Sequence, residues 1–163
     1  MPVKAVCNAS PLIFLAKINC LRLLDDYSLQ IPNQVKDEVL SGHKKGKADA
    51  HLILDYLETR RIEPVRVVPL KSFPPALGSG EKAAISLAVR LNLKKIFIDE
   101  SKARSVARIY GLEPKGTLGI LWESYRAGRL KKTEIERLMY ELIEKGFRIK
   151  EELLIKFLRA LND

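Results

Sequence analysis

The stretch "KKIFIDESKARSVARIYG", residues 94–111, passes from a short apolar run through an acid into helical spacing. Ile96, Phe97 and Ile98 are apolar at successive positions, as a strand buried on both faces requires. Asp99 ends that strand, read as 94–99, and the helix "SKARSVARIYG" follows. The same grammar stands at the start of the chain in "VKAVCNASPLIFLAKI" (3–18). Residues 3–8 read as a buried strand ending at Asn8. Ser10 reads as the cap of a helix with Pro11 at its first position. Leu12, Leu15, Ala16 and Ile18 give that helix its apolar face.

Working outward, "LQIP" (29–32) reads as a short strand, and Pro32 opens a helix that ends at Gly42. "HKKGK" (43–47) is a basic loop ahead of the helix "ADAHLILDYLETR" (48–60). "IEPVRVVPL" (62–70) reads as a strand near a sheet edge, because Pro64 interrupts it. A linker (71–80) leads to the helix "EKAAISLAVRLN" (81–92), whose stripe is Ala84, Leu87, Ala88 and Leu91. Further helices are expected over 117–128, 133–145 and 150–161. Short apolar strands alternating with amphipathic helices predict an α/β domain with a parallel sheet. In such sheets ligands bind beyond the carboxyl ends of the strands. Asn8 and Asp99 both stand there.

The whole chain of 163 residues is expected to form one domain, with 47% apolar and 30% charged residues. No run reaches the roughly 18 apolar residues of a membrane span, and the N-terminus lacks the pattern of a signal peptide. Cys7 and Cys20 have neither CxxC spacing nor a disulfide framework. Together these features predict a cytoplasmic protein with buried, reduced cysteines. The net charge is +9. Ion-pair-rich surfaces also carry many Lys, Arg and Glu, but the excess of positive charge favours a polyanionic partner, nucleic acid first.

Two more carboxylates sit on faces expected to be inward. Glu38 is beside Val35 and Val39, and Glu81 shares a stripe with Ala84 and Ile85. Each has an ordinary alternative: Glu38 as a solvated helix residue, and Glu81 as a first-turn acid complementing the helix dipole. Jointly, Asn8, Glu38, Glu81 and Asp99 could converge on one pocket. Clustered carboxylates need a cation, and hard oxygen donors select Mg²⁺ or Mn²⁺ over zinc. An acidic metal pocket on a basic protein suits phosphodiester cleavage.

With these residues in view, the chain resembles the PIN-domain family, and within it the prokaryotic PIN-like subfamily of VapC-type toxins. The resemblance is carried by "NASPLIFLAKI" (8–18), "IPNQVKDEV" (31–39), "LGSGEKAAISLA" (77–88), "IDESKAR" (98–104) and "GTLGILWESYRAG" (116–128), in the family's order. It implies a three-layer α/β/α fold around a mostly parallel sheet of four or five strands. The implied activity is metal-dependent RNA cleavage, as the toxin of a toxin–antitoxin pair. A cognate antitoxin and a homodimer are the implied protein partners. The C-terminal helices, about 133–161, are expected to pack on the domain or form the dimer contact. The family's acids fall on Asn8, Glu38, Glu81 and Asp99. Ser10 matches a supporting hydroxyl residue, and Glu100 is an additional candidate ligand. The departure is Asn8, where the family leads one to expect Asp. That departure motivates a second reading, a PIN-like module with lost or weakened catalysis that binds RNA or regulates.

Among the cations, Lys44, Lys45, Lys102 and Arg104 are candidate RNA contacts, the last two because they closely follow Asp99. Trp122 and Tyr125, three apart on one helix, read as core or dimer contact rather than as a base-stacking platform. "GSGE" (78–81) lacks the lysine and spacing of a phosphate loop.

Overall fold

A computed structural model describes residues 2–163. Its elements in order are β1 (Val3–Cys7), α1 (Ala9–Lys17), a single 3-10 turn (Leu21–Leu24), β2 (Tyr27–Gln30), α2 (Asn33–Lys44), α3 (Ala48–Thr59), α4 (Ser79–Arg90), β3 (Lys95–Phe97), α5 (Ser101–Ile109), β4 (Glu113–Lys115), α6 (Thr117–Arg126), α7 (Lys132–Glu144) and α8 (Glu151–Asn162). The four strands form one sheet in the order β2-β1-β3-β4, and every pair is parallel. Val6 pairs with Ile96, so β1 and β3 lie side by side at the centre.

Alternation along these strands builds the layers. Ala5, Cys7 and Phe97 point into a core shared with α1, α2, α3, α6 and α7. Val6, Ile96 and Ile98 point the other way, into a core with α4 and α5. This is the expected three-layer α/β/α arrangement. Phe97 is fully enclosed and meets Tyr27 edge to face, with centroids 4.9 Å apart. Burying a ring of that size contributes about 2–3 kcal/mol. Of the C-terminal helices, α7 buries Ile135, Leu138, Met139 and Leu142. Along α8 only Leu161 is buried, with Phe157 and Leu158 packed in part against the core.

Four sequence expectations need correction. The segment 62–70 is not a strand. It makes one isolated bridge, Pro32 to Val65, because Pro64 and Pro69 carry no N–H for a ladder. Its polar groups are met by side chains instead: Gln34 Nε2 donates to Val67 O, and Leu70 N donates to Ser86 Oγ. The last strand is 113–115, "EPK", at the sheet edge, where a proline can sit without a lost partner. Helix α1 begins at Ala9 with Asn8 in the cap position, so Ser10 lies inside the first turn and Pro11 follows it. Finally, Leu91 is exposed, since α4 ends at Arg90 and the chain turns outward there.

Candidate active site

Four helices, α1, α4, α5 and α6, start beside the carboxyl ends of β1, β3 and β4. Their first turns carry unpaired N–H groups and the positive end of the helix dipole, which favours acids at this edge. A cleft of ≈ 450 Å³ opens there, and Asn8, Ser10, Glu38, Glu81, Asp99 and Glu100 all line it. The residues expected to form the metal site, with Ser10, are thus brought to one cavity.

Asp99 is the most tightly held. Its Oδ1 accepts the Thr117 N–H at 2.6 Å. Its Oδ2 accepts two hydroxyls, Thr117 Oγ1 and Ser10 Oγ, each at 2.8 Å. Three donors converging on one carboxylate fix its orientation. Ser10 is therefore a donor to Asp99 rather than a helix cap. Cys7, one residue before Asn8, is fully buried, and burial followed by the nearby Asp99 charge pushes its thiol far above the ordinary range. That thiol stays protonated and unreactive.

Asn8 is 6% exposed, at the end of β1. Its backbone N–H donates to Phe97 O at 2.9 Å, which ties the strand end to β3. Its side chain makes no cap hydrogen bond, and the amide oxygen approaches Gly80 in the first turn of α4. A Cβ on Gly80 would sit 3.2 Å from that oxygen, so the glycine makes room for the amide. Glu81 turns back on its own helix, where Oε1 accepts the Gly78 N–H at 2.8 Å. Glu81 thus caps α4 and also lines the cleft.

Glu38 faces the cleft opening, so the residue is solvent-exposed rather than inward as its spacing suggested. Its carboxyl is raised above the ordinary carboxylate range, first by partial burial between the cleft walls and then by the charge of Glu81. Glu100 is also exposed and caps α5, with Oε2 accepting the Ala103 N–H at 2.8 Å.

The side-chain oxygens of the cleft are all hard donors: one amide, one hydroxyl and four carboxylates. That chemistry fits a hard divalent cation. As the side chains stand, no three His, Cys, Asp or Glu among the described residues converge on a single point. Glu81 and Glu100 are turned to their helix caps, and Asp99 is turned to Thr117 and Ser10. Ligation therefore needs these side chains to turn from their present partners toward a shared point.

Several residues at the site carry no expectation from sequence. Thr117, fully buried, is the chief partner of Asp99. Gly116 precedes it, and a Cβ there would come within 2.7 Å of Asp99 Oδ1, so only glycine allows this approach. Phe147 and Arg148, from the α7–α8 connection, form the opposite rim of the cleft. Phe147 packs edge to face on Phe14, with centroids 4.9 Å apart. Of the candidate RNA contacts, Arg104 lies beside Asp99 and Gly116. Lys102 is exposed on α5, Lys44 ends α2 and Lys45 follows it. None of these three lines the cleft.

A protein-family model described as a PIN domain matches residues 4–163. No curated protein and no solved structure matches the chain.

Proposed function

The chain belongs to the PIN-domain family, a family of nuclease type, and on that premise we propose that it is a divalent-metal-dependent endoribonuclease. The observation that carries the reading is the shared cleft. Asn8, Glu38, Glu81, Asp99 and Glu100 come from four separate parts of the chain and line one cavity at the carboxyl edge of the sheet. Glu38, Glu81, Asp99 and the Asn8 amide oxygen would hold Mg²⁺ or Mn²⁺, with Glu100 as a further donor. The metal, when bound, supplies an activated water and offsets charge on the scissile phosphate. The chain's own residues do the rest. Thr117 and Ser10 keep Asp99 aimed. Glu38, with its raised proton affinity, is the carboxylate best suited to accept a proton from the attacking water. Surface cations hold the remaining phosphates.

Asn8 supports the second reading, an RNA-binding module with weakened catalysis. An amide donates one neutral oxygen where a carboxylate would add a charge, which lowers metal affinity without emptying the donor set. A ribonuclease assay in Mn²⁺, with EDTA and the Asp99→Asn variant as controls, separates the two. Mn²⁺-dependent cleavage lost in Asp99→Asn supports the nuclease; RNA binding without cleavage under all conditions supports the module.

The narrower role, a cytoplasmic toxin checked by a cognate antitoxin and working as a homodimer, rests on the resemblance of its sequence blocks to the VapC-type subfamily. Exposed Tyr140 and Ile143 on α7 and Leu153 and Ile155 on α8 offer apolar surface to a protein partner. Among the described residues no helix is long and apolar enough to cross a membrane.

A further inference from the structure

Four carboxylates line the acidic cleft, Glu38, Glu81, Asp99 and Glu100, and among the described residues one cation lines it with them, Arg148. Arg148 belongs to the connection between α7 and α8. Gly146 closes α7 in the left-handed region, at φ +94°, where a side chain would strain the turn. The next residue, Phe147, is pinned on Phe14 by its edge-to-face contact. Arg148 follows it. It is solvent-exposed and forms no ion pair with a described residue. Its attraction to the four acids therefore acts across the cleft rather than through a fixed contact. From Arg148 onward the chain is thinly attached. Residues 147–150 take no regular structure. Along α8 only Leu161 is buried, while Leu153 and Ile155 are exposed. Among the described residues, no ion pair or side-chain hydrogen bond joins α8 to another element, and the one side-chain bond it makes, Asn162 to Leu158 O, is internal. What seats α8 is apolar, chiefly Leu161 and the contact of Phe157 with Trp122 on α6, with centroids 5.5 Å apart.

A guanidinium beside clustered acids offsets their mutual repulsion. A divalent cation does the same with twice the charge. The two positive groups repel each other, and the ion balances two of the four carboxylates that attract Arg148. A ligand moves an element only when it interacts differently with that element's two positions. Here the difference is the charge that Arg148 meets with and without the ion. We propose that Arg148 is a counter-charge built into the cleft that competes with the metal: in the metal-free protein it draws the α7–α8 connection toward the acids, and a divalent cation loosens that connection and α8 with it. The proposal rests on the metal reading of the cleft and adds a regulation of it. The coupling is reciprocal, so whatever seats α8 weakens metal binding and whatever lifts α8 strengthens it.

Two readouts that need no cleavage test this. Metal affinity is read from the loss of the free Mn²⁺ electron paramagnetic resonance signal. The position of α8 is read from Trp122, the one tryptophan of the chain, and from amide deuterium exchange, both in Mg²⁺, which is not paramagnetic. In the wild type, Mg²⁺ should move Trp122 emission to longer wavelength than in EDTA, and the α8 amides should exchange faster while those of α3 do not change. Arg148→Gln should bind Mn²⁺ about threefold more tightly, the size expected of an exposed charge–charge interaction. In EDTA it should already show the long-wavelength emission. Arg148→Lys should stay close to the wild type. Lys150→Gln removes an exposed cation two positions on that does not line the cleft, and should bind Mn²⁺ like the wild type. Equal Mn²⁺ affinity in the wild type and Arg148→Gln overturns the proposal and leaves the nuclease reading standing. An equal gain in Lys150→Gln assigns the effect to net charge and overturns it too. Metal binding that leaves α8 exchange and Trp122 emission unchanged in the wild type overturns it without any variant, so the test survives a variant that fails to fold. Absence of Mn²⁺ binding in every form removes the metal reading and this proposal together.

Discussion

Thr117 grips both oxygens of Asp99, its N–H on Oδ1 at 2.6 Å and its hydroxyl on Oδ2 at 2.8 Å. The two residues are joined through the turn between β4 and α6, and Gly116 lets the carboxylate in. Thr117→Val keeps the shape and the N–H but removes the hydroxyl donor. Loss of a hydrogen bond to a charged group costs about 1.5–3 kcal/mol. Urea unfolding should register that loss, Mn²⁺-dependent RNA cleavage should fall, and Thr117→Ser should recover most of both. A valine variant with wild-type stability and cleavage would detach Thr117 from the site.

This relationship also marks where the sequence stops being readable. Asn8 and Asp99 were legible because each ends an apolar run, and the end of a parallel strand is a known location. Glu81 was legible as a first-turn acid on the inward stripe of its helix, while its capping bond to Gly78 was not. Thr117 was not legible, because nothing in its own stretch marks the hydroxyl, and its partner lies 18 positions away. Strand β4 was missed because "EPK" has no apolar pattern; its place is set by pairing with β3. The segment 62–70 misled in the other direction: its valines look like a strand, but its prolines leave it one bridge.

Asn8→Asp adds a fifth carboxylate to Glu38, Glu81, Asp99 and Glu100, at a position that is nearly buried. Without metal the variant should melt at lower temperature than the wild type, because a poorly solvated carboxylate gains neighbours of like charge. Adding Mn²⁺ should raise its melting temperature more than it raises that of the wild type, and cleavage should saturate at lower Mn²⁺. Thermal melts across a Mn²⁺ series decide this. Identical Mn²⁺ responses in the two proteins would mean that residue 8 does not face the ion.

Glu38→Gln tests a trade-off between stability and function. Because the folded Glu38 carboxyl holds its proton more tightly than in the unfolded chain, its contribution to stability is fullest in acid. That contribution is lost as pH rises through the raised folded value. In EDTA at neutral pH the Gln variant should therefore be at least as stable as the wild type. The margin should be small, since the carboxyl opens to solvent, and it should vanish below the usual carboxylate range. With Mn²⁺ present the order should invert, and cleavage by the variant should be lost. Paired melts in EDTA and in Mn²⁺ across pH read both effects, and a Gln variant that is less stable in EDTA at neutral pH would contradict the argument.

A pH effect of opposite sign is expected away from the cleft, at Asp25. Arg60 Nε and the Tyr56 hydroxyl both donate to its Oδ1 at 2.7 Å, and Arg60 Nη2 donates to Oδ2 at 3.1 Å. The Arg60 hydrogen bonds, helped by Tyr56, hold the Asp25 carboxyl below its ordinary value against a smaller opposing effect of burial. A lowered folded value gives stability that is present above the unfolded pKa and lost as pH falls through the folded one. Asp25→Asn should therefore lower the melting temperature at neutral pH, and the gap to the wild type should close on acidification. Because Arg60 and Asp25 are 38% and 44% exposed in their side chains, the gap should be modest and should shrink in high salt. The buried Tyr56 hydroxyl keeps it from vanishing, since removal of the acceptor leaves that group with a weaker partner. A gap that widens in acid would show that the carboxylate is not held by Arg60 in solution, and an Arg60→Met variant should then melt like the wild type at every pH.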